Sequence, residues 1–256
     1  MSTVNYGESF AELYDTFYAD KPYQQETEFI NSLIRGRLGH GPLRLLELAC
    51  GTGNHSFHFE RLGYRVFASD ISTHMIQVAK RKAQRLESSV DFQVGDMCDM
   101  GAGDAPYDVI VCLFDSVGYL LENERVVRCL NNIYNNLKHG GLCILEYWHA
   151  GAMLSARSAI RYRTFKAPNC EILRVSETTC SLSEQNCTVD FNIVVTKTDG
   201  TWSSFRESHK NRYFLKKEMD LFFQVVHLRP QACYGGYTES LKISEDSWHL
   251  VHLAER

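Results

Sequence analysis

The stretch LELACGTGNHS (Leu46–Ser56) joins an apolar run to one carboxylate and two glycines spaced one apart. The run begins at Pro42 as PLRLLELA, short and apolar, which suits a buried parallel strand. A helix follows, to about Leu62, where Gly63 stops it. Gly51 and Gly53 let backbone approach a ligand closely, and the helix starting near Asn54 turns its free N–H groups toward the same place. The turn is therefore a ligand cradle, and its neighbours must say which ligand.

Working outward, the same unit recurs. YRVFASD (64–70) is a strand, and Ser72 or Thr73 caps a helix with Met75, Val78, Ala79 and Leu86 on one stripe. VDFQVGD (90–96) and YDVIVCLF (107–114) are the third and fourth strands. ERVVRCLNNIYNNLKHGG reads as a helix with a glycine stop, and LCILEYW (142–148) as the fifth strand. Alternation of this kind predicts a doubly wound, mostly parallel sheet. Ahead of it, ESFAELYDTFY and QQETEFINSLIRGRL have helical spacing, broken at Lys21–Pro22.

After Trp148 the period changes to two. CTVDFNIVV puts Cys187, Val189, Phe191, Ile193 and Val195 on one face, and with AIRYRTFK, EILRVSETTCSL and WSSFRESHKNRYF it makes four antiparallel strands. Asp199–Gly200 is a hairpin turn. KKEMDLFFQVV returns to helix, and HLRPQACYGG and WHLVHLAER supply the last two strands. The antiparallel block, 154–214, is thus an insertion between 1–153 and 215–256.

The chain has 256 residues and a net charge of −4, so it offers no polycation to a nucleic-acid backbone. The start MSTVNYGESF has neither a basic nor an apolar signal region, and no apolar run is long enough to span a bilayer, so a soluble cytoplasmic protein is expected. Nine cysteines without a C-x-x-C pair read as reduced thiols, with neither a disulfide framework nor a zinc site. The histidine pairs His55/His58 and His249/His252 and the isolated carboxylates Asp99 and Asp115 give no metal-ligand pattern, so no metal is expected.

Ligands of an open sheet sit beyond the carboxyl ends of its strands, so Glu47 to Gly53, Asp70, Asp96 and the end of the fourth strand carry the decision. A dinucleotide wants a third glycine where this chain has Ser56, and its pyrophosphate sits badly beside Glu47. A sulfonium cofactor with an ammonium group suits that carboxylate. Asp70 serves a ribose of either cofactor, and Asp96 with Met97 suits an adenine amine and ring face.

In order and spacing, LELACGTG, VFASDIS with Met75, VGDM and YDVIVCLFDSVGYL resemble the class I S-adenosylmethionine-dependent methyltransferases over residues 42–150. That resemblance implies a Rossmann-like α/β fold with an inserted antiparallel sheet and an N-terminal helical cap, and S-adenosyl-L-methionine as cofactor. It places Glu47, Ala49 and Gly51 at the methionine moiety, Asp70 at the ribose, Ile71 and Met97 at the adenine faces, and Asp96 at its amine, with Gly53 also at the cofactor. Leu113, Phe114 and Asp115 fall at the cofactor's amino end, with Met75, Tyr14 and Tyr23 completing the site.

LYDTFYADKPYQQETEFI, FDSVGYL and the F-x-acid-x-H segment (Phe205, Glu207, His209) resemble more particularly the nucleotide-linked amino-sugar N,N-dimethyltransferases. This chain has Tyr147–Trp148–His149 where a proline–tryptophan pair is expected, so sugar identity is open. The resemblance implies that the cap and insertion close over a small-molecule acceptor touched by Tyr119, Trp148, Arg161, Glu207 and His209.

Period two puts Phe205, Glu207, His209 and Tyr213 on one face, with His209 as a base that Glu207 could orient and Tyr14 as a hydrogen-bonding partner. Arg157, Arg161 and Arg163, or Arg206, Lys210 and Arg212, could clamp a pyrophosphate. Methylation of an amine is the leading expectation, with O-methylation of another metabolite and non-catalytic cofactor sensing as alternatives. The free edge of the inserted sheet makes a homodimer a further expectation.

Overall fold

The computed structural model describes residues 6–99, 106–155, 159–239 and 242–256. Two helices lead, α1 (Glu8–Phe17) and α2 (Tyr23–Leu38), separated where Pro22 disfavours helical backbone at Lys21. Then come β1 (Arg44–Leu48), α3 (Asn54–Arg61), β2 (Arg65–Asp70), α4 (Thr73–Leu86), β3 (Asp91–Val94) and β4 (Tyr107–Cys112). A 3₁₀ turn (Ser116–Leu120), α5 (Asn123–Asn136), β5 (Leu137–Trp148) and α6 (Ala150–Ser155) follow. The last elements are β6 (Ala159–Ala167), β7 (Cys170–Ser181), β8 (Asn186–Lys197), β9 (Trp202–Arg212), α7 (Lys216–Val225), β10 (Arg229–Tyr234) and β11 (His249–Glu255).

One sheet has seven strands in the order β10-β11-β5-β4-β1-β2-β3, with β1 to β5 parallel and β11 and β10 antiparallel at one side. Its two faces are covered. Leu46, Leu48, Ile110, Cys112 and Leu145 point to a core shared with α5 and α7, and Leu45, Val109, Val111 and Ile144 to one shared with α2, α3 and α4. Each such side chain, fully buried, stabilises the fold by roughly 1.5–3 kcal/mol. The α/β architecture is the expected one.

The other sheet, β6-β7-β8-β9, is antiparallel throughout and is inserted between α6 and α7. It buries one face only. Ile172, Ile193, Phe165, Phe191 and Phe205 meet Phe10, Ala11, Tyr14 and Phe17 of α1 in a third cluster, to which Met75 of α4 also belongs. Helix α1 is therefore the layer between the two sheets.

Two local readings change. The helix read through Gly141 stops at Asn136, and Leu137 already lies in β5. Gly140 takes φ 74°, so it shapes an early bend of the strand rather than stopping a helix. The expectation of reduced thiols throughout fails for Cys180 and Cys187, which face each other across the β7–β8 hairpin and form a disulfide. Hairpin register brings them together, and the spacing of cysteines along the chain does not reveal register. The other seven cysteines are free, six of them buried. No helix among the described residues is long and apolar enough to cross a membrane.

Candidate active site

The glycine turn lies at the carboxyl end of β1, the middle one of the five parallel strands, with β2 and β4 on either side. Ala49, Gly51 and Gly53 all take left-handed backbone, at φ 53°, 56° and 81°. Gly53 is the position that only glycine satisfies. A Cβ there would stand 2.5 Å from the Phe92 ring.

Buried carboxylates surround the turn. Asp70 accepts from the N–H of Gly51 and of Ser72, each at 2.8 Å, and burial raises its pKa. It braces the loop through both oxygens. Glu47 is buried behind the turn, accepts from the Ser56 hydroxyl, and has a pKa raised by burial. Its other oxygen lies 3.7 Å from His55 Nδ1, and His55 Nε2 lies 2.8 Å from Glu26, which also receives Lys21. Burial would raise the pKa of Glu26, but His55 and Lys21 outweigh it and hold it down.

A second polar chain ties the cap to the loop. Asp15 of α1 accepts from Thr52 at 2.6 Å and Asn54 at 3.0 Å, and Lys82 of α4 reaches its other oxygen at 2.8 Å. Tyr14 lies against Gly51, and Tyr23 stands edge-on to His55 with ring centres 4.8 Å apart. Glu26, His55, Asp15 and Lys82 were missed in the sequence because their meaning lies in contacts between separate helices. Charged positions on α1 and α2 spaced like core positions were the available signal.

Asp96 ends its strand region with the N–H of Cys98 at 2.9 Å and Arg125 at 2.9 Å. Burial would raise its pKa, yet those two hydrogen bonds outweigh it and lower it. Ile71 is 56% exposed beside Asp70, while Met97 is half-buried against the α5 core. Met75, expected at the cofactor, is buried in the cluster that α4 shares with α1. Leu113 is buried, and Phe114 stacks on Lys21, whose ammonium lies 4.3 Å from the ring centre.

Between cap and inserted sheet, Tyr6 and Tyr119 share a hydrogen bond of 2.7 Å, and the Tyr119 hydroxyl lies 3.1 Å from His209 Nδ1. The rings of Tyr6, Phe10 and Phe191 enclose His209 at 4.6, 5.2 and 5.5 Å. Burial pushes its pKa down to about 4, and its Nε2 is buried without a partner. Glu207 does not orient His209. Its carboxylate accepts from the N–H of Gly7 at 2.9 Å, fastening the start of α1 to β9.

Tyr213 leaves the face of His209 because β9 ends at Arg212; Asn211 takes the place and donates to the Asp115 carbonyl at 3.0 Å. Trp148 is half-buried against the cluster of Ala150, Met153, Cys187 and Tyr213. Arg161 is exposed on β6, Arg163 pairs with Asp20 at 3.1 Å, and Arg157 lies outside the described residues. Arg212 is not free for an acceptor, since Glu218 and the Leu121 carbonyl hold it. Arg174, which sequence reasoning passed over, stacks on Phe17, Phe165 and Phe191 at 4.9–5.1 Å.

Asp115 is not the isolated carboxylate expected. It is buried, and its Oδ1 lies 2.9 Å from His249 Nδ1, which is 3.3 Å from Glu146 Oε1. Burial pushes Asp115 up to about 6. For His249 burial acts downward, but Asp115 and Glu146 outweigh it and bring the imidazole up to about 9. Glu146 was the missed signal: a carboxylate inside the apolar run LCILEYW.

A glycine cradle closed against Phe92, with buried Glu47 behind it and Asp70 and Asp96 at the next strand ends, fits a sulfonium cofactor with a ribose and an adenine. Fold and site define a class, and the chain is an S-adenosylmethionine-dependent methyltransferase. The methyltransferase domain family matches residues 45–141. A Geobacillus sp. (strain WCH70) protein described as a methyltransferase is 30% identical over 139 residues, 54% of this chain and 56% of the relative's length.

The dTDP-3-amino-3,4,6-trideoxy-alpha-D-glucopyranose N,N-dimethyltransferase of Streptomyces venezuelae is 28% identical over 229 residues, 88% of this chain and 92% of the relative. Among solved structures, an S-adenosylmethionine-dependent methyltransferase from Clostridium acetobutylicum ATCC 824 superposes with a TM-score of 0.81. The match covers 96% of this chain and 97% of that one at 19% identity, a likeness of fold.

Proposed function

We propose that the chain transfers a methyl group to the amine of a nucleotide-linked amino sugar by direct in-line displacement. The similarity to the Streptomyces venezuelae amino-sugar N,N-dimethyltransferase carries this reading, because it extends over 88% of this chain and 92% of that one. When bound, S-adenosylmethionine supplies the methyl as an electrophilic sulfonium carbon. Glu47, Ala49, Gly51, Gly53, Asp70, Ile71, Asp96 and Met97 hold it, with Tyr14 and Tyr23 closing from the cap.

Charge is dispersed rather than created in such a transfer, so positioning supplies most of the acceleration. Tyr119, Trp148 and Arg161 receive the acceptor in this reading. His209, neutral and caged by aromatic rings, sets the tilt of Tyr119 instead of taking a proton itself. Phosphates of the nucleotide meet cationic side chains of the inserted sheet, of which Arg161 is exposed.

The test is product mass. Purified protein is incubated with S-adenosylmethionine and, in parallel, with a dTDP-linked amino sugar and with the same nucleotide sugar bearing a hydroxyl in place of the amine. Gain of one or two methyl groups on the amino sugar alone is the expected outcome. Methylation of the hydroxyl compound at a similar rate overturns the reading.

A further inference from the structure

Strand β11 runs antiparallel to β5, so its first residue, His249, pairs with Trp148 at the carboxyl end of β5. That edge is where a doubly wound sheet presents its ligands. There His249 Nδ1 faces Asp115 Oδ1 at 2.9 Å and Glu146 Oε1 at 3.3 Å. The carboxylates are themselves anchored. Glu146 accepts from the Phe114 N–H and the Tyr237 hydroxyl, and the loop of Asp115 is held through its carbonyl by Asn211 and Gly118. The imidazole is 36% exposed, while the two carboxylates are at 5% and 2%, so the ring is the member of the trio open to solvent.

An imidazole whose Nδ1–H is held by a carboxylate keeps the lone pair of its neutral form on Nε2 and presents it outward. His249 Nε2 has no hydrogen-bond partner among the described residues. His209 has the opposite arrangement, with Nδ1 turned to a phenol and Nε2 sealed among aromatic rings.

We infer that His249 is the general base of this site, positioned by Asp115 and Glu146, and that its Nε2 takes a proton from the acceptor's ammonium group. The inference rests on the N-methylation reading above. The N–H bond breaks and leaves its electron pair on nitrogen. That pair forms the new N–C bond while the sulfonium C–S bond breaks with its pair left on sulfur, and the imidazolium passes its proton to solvent over its exposed edge.

The groups facing the ring set the pH dependence. Asp115 from the end of β4 and Glu146 from β5 favour the protonated form, Lys21 from the α1–α2 turn opposes it, and the Tyr237 hydroxyl donates to Glu146. The proton stays on His249 at neutrality, so the rate rises with pH toward about 9.

The experiment measures kcat against pH with a dTDP-linked amino sugar for the wild type, H249Q, D115N and E146Q. Thermal melting followed by circular dichroism reports whether each variant is folded, and calorimetry reports S-adenosylmethionine binding separately. H249Q is expected to bind the cofactor normally, lose about 100-fold in kcat and lose the rising limb, whereas D115N moves that limb to lower pH. A folded H249Q within about threefold of wild-type kcat, limb intact, overturns the inference and leaves the N-methylation reading standing. Loss of wild-type activity to a chelator with recovery on adding a divalent cation also overturns it, since the trio would then hold a metal. If no amine is methylated at all, the functional reading falls and this inference with it.

Discussion

Two histidines, one in each sheet, are shifted in opposite directions. In the inserted sheet His209 is enclosed by Tyr6, Phe10 and Phe191, and burial pushes it down to about 4. At the edge of the seven-stranded sheet His249 meets two carboxylates and is carried up to about 9. One side chain thus changes character with its surroundings: desolvation dominates at His209, whereas at the half-exposed His249 two carboxylates outweigh it. Polar chemistry concentrates where strands of the parallel sheet end, and the insertion contributes shape.

The largest effect should come from breaking the parallel-sheet end. Gly53→Val adds branched side-chain atoms where a Cβ alone would meet Phe92, at a backbone angle that valine adopts only under strain. A loss of about 4 kcal/mol in urea unfolding is expected, with cofactor binding abolished in calorimetry. Retained binding would mean that the turn is not the cradle.

The histidine contrast should be visible as a stability profile. The folded pKa of His209 lies below its unfolded value near 6.5, so its contribution is full above pH 6.5 and is lost as pH falls toward 4. The loss amounts to about 3 kcal/mol at most. His252, held beside Asp220 and also pushed down to about 4, adds to the same acid limb. His249 has the reverse sign: its contribution is full below pH 6.5 and fades as pH rises toward 9. Denaturant midpoints for wild type and H209F across pH 4–9 check this, and H209F should flatten the acid limb while leaving the alkaline side unchanged.

The smallest effect lies in the insertion. The Cys180–Cys187 disulfide closes a hairpin with a sequence separation of 7, which restricts the unfolded chain by about 2 kcal/mol. The double variant C180S/C187S should lower the melting temperature by a few degrees, with the cofactor's dissociation constant unchanged. A comparable change in cofactor affinity would show that the insertion does more than shape the acceptor side.

Much of this was legible in the sequence. Strands β1, β4 and β5 are buried on both faces, so they read as apolar runs, and the alternating face of β8 announced the insertion. Glycine spacing and the carboxylates at strand ends marked the cofactor side for the same reason, since local backbone demands leave a local trace. The orienting role read for Glu207 fails because a shared face says nothing about which neighbour fills the space opposite.

The sequence by itself determined the order of elements, the glycine cradle and the class of cofactor, all of which depend on residues close together in the chain. Only the tertiary structure decided that Asp15 and Glu26 tie the cap to the loop, that Cys180 meets Cys187, and that His249 stands between Asp115 and Glu146. Asp115 and His249 are 134 residues apart, and only the antiparallel return of β11 beside β5 brings them within hydrogen-bonding distance. Proton affinity follows from that proximity, which no spacing along the chain encodes.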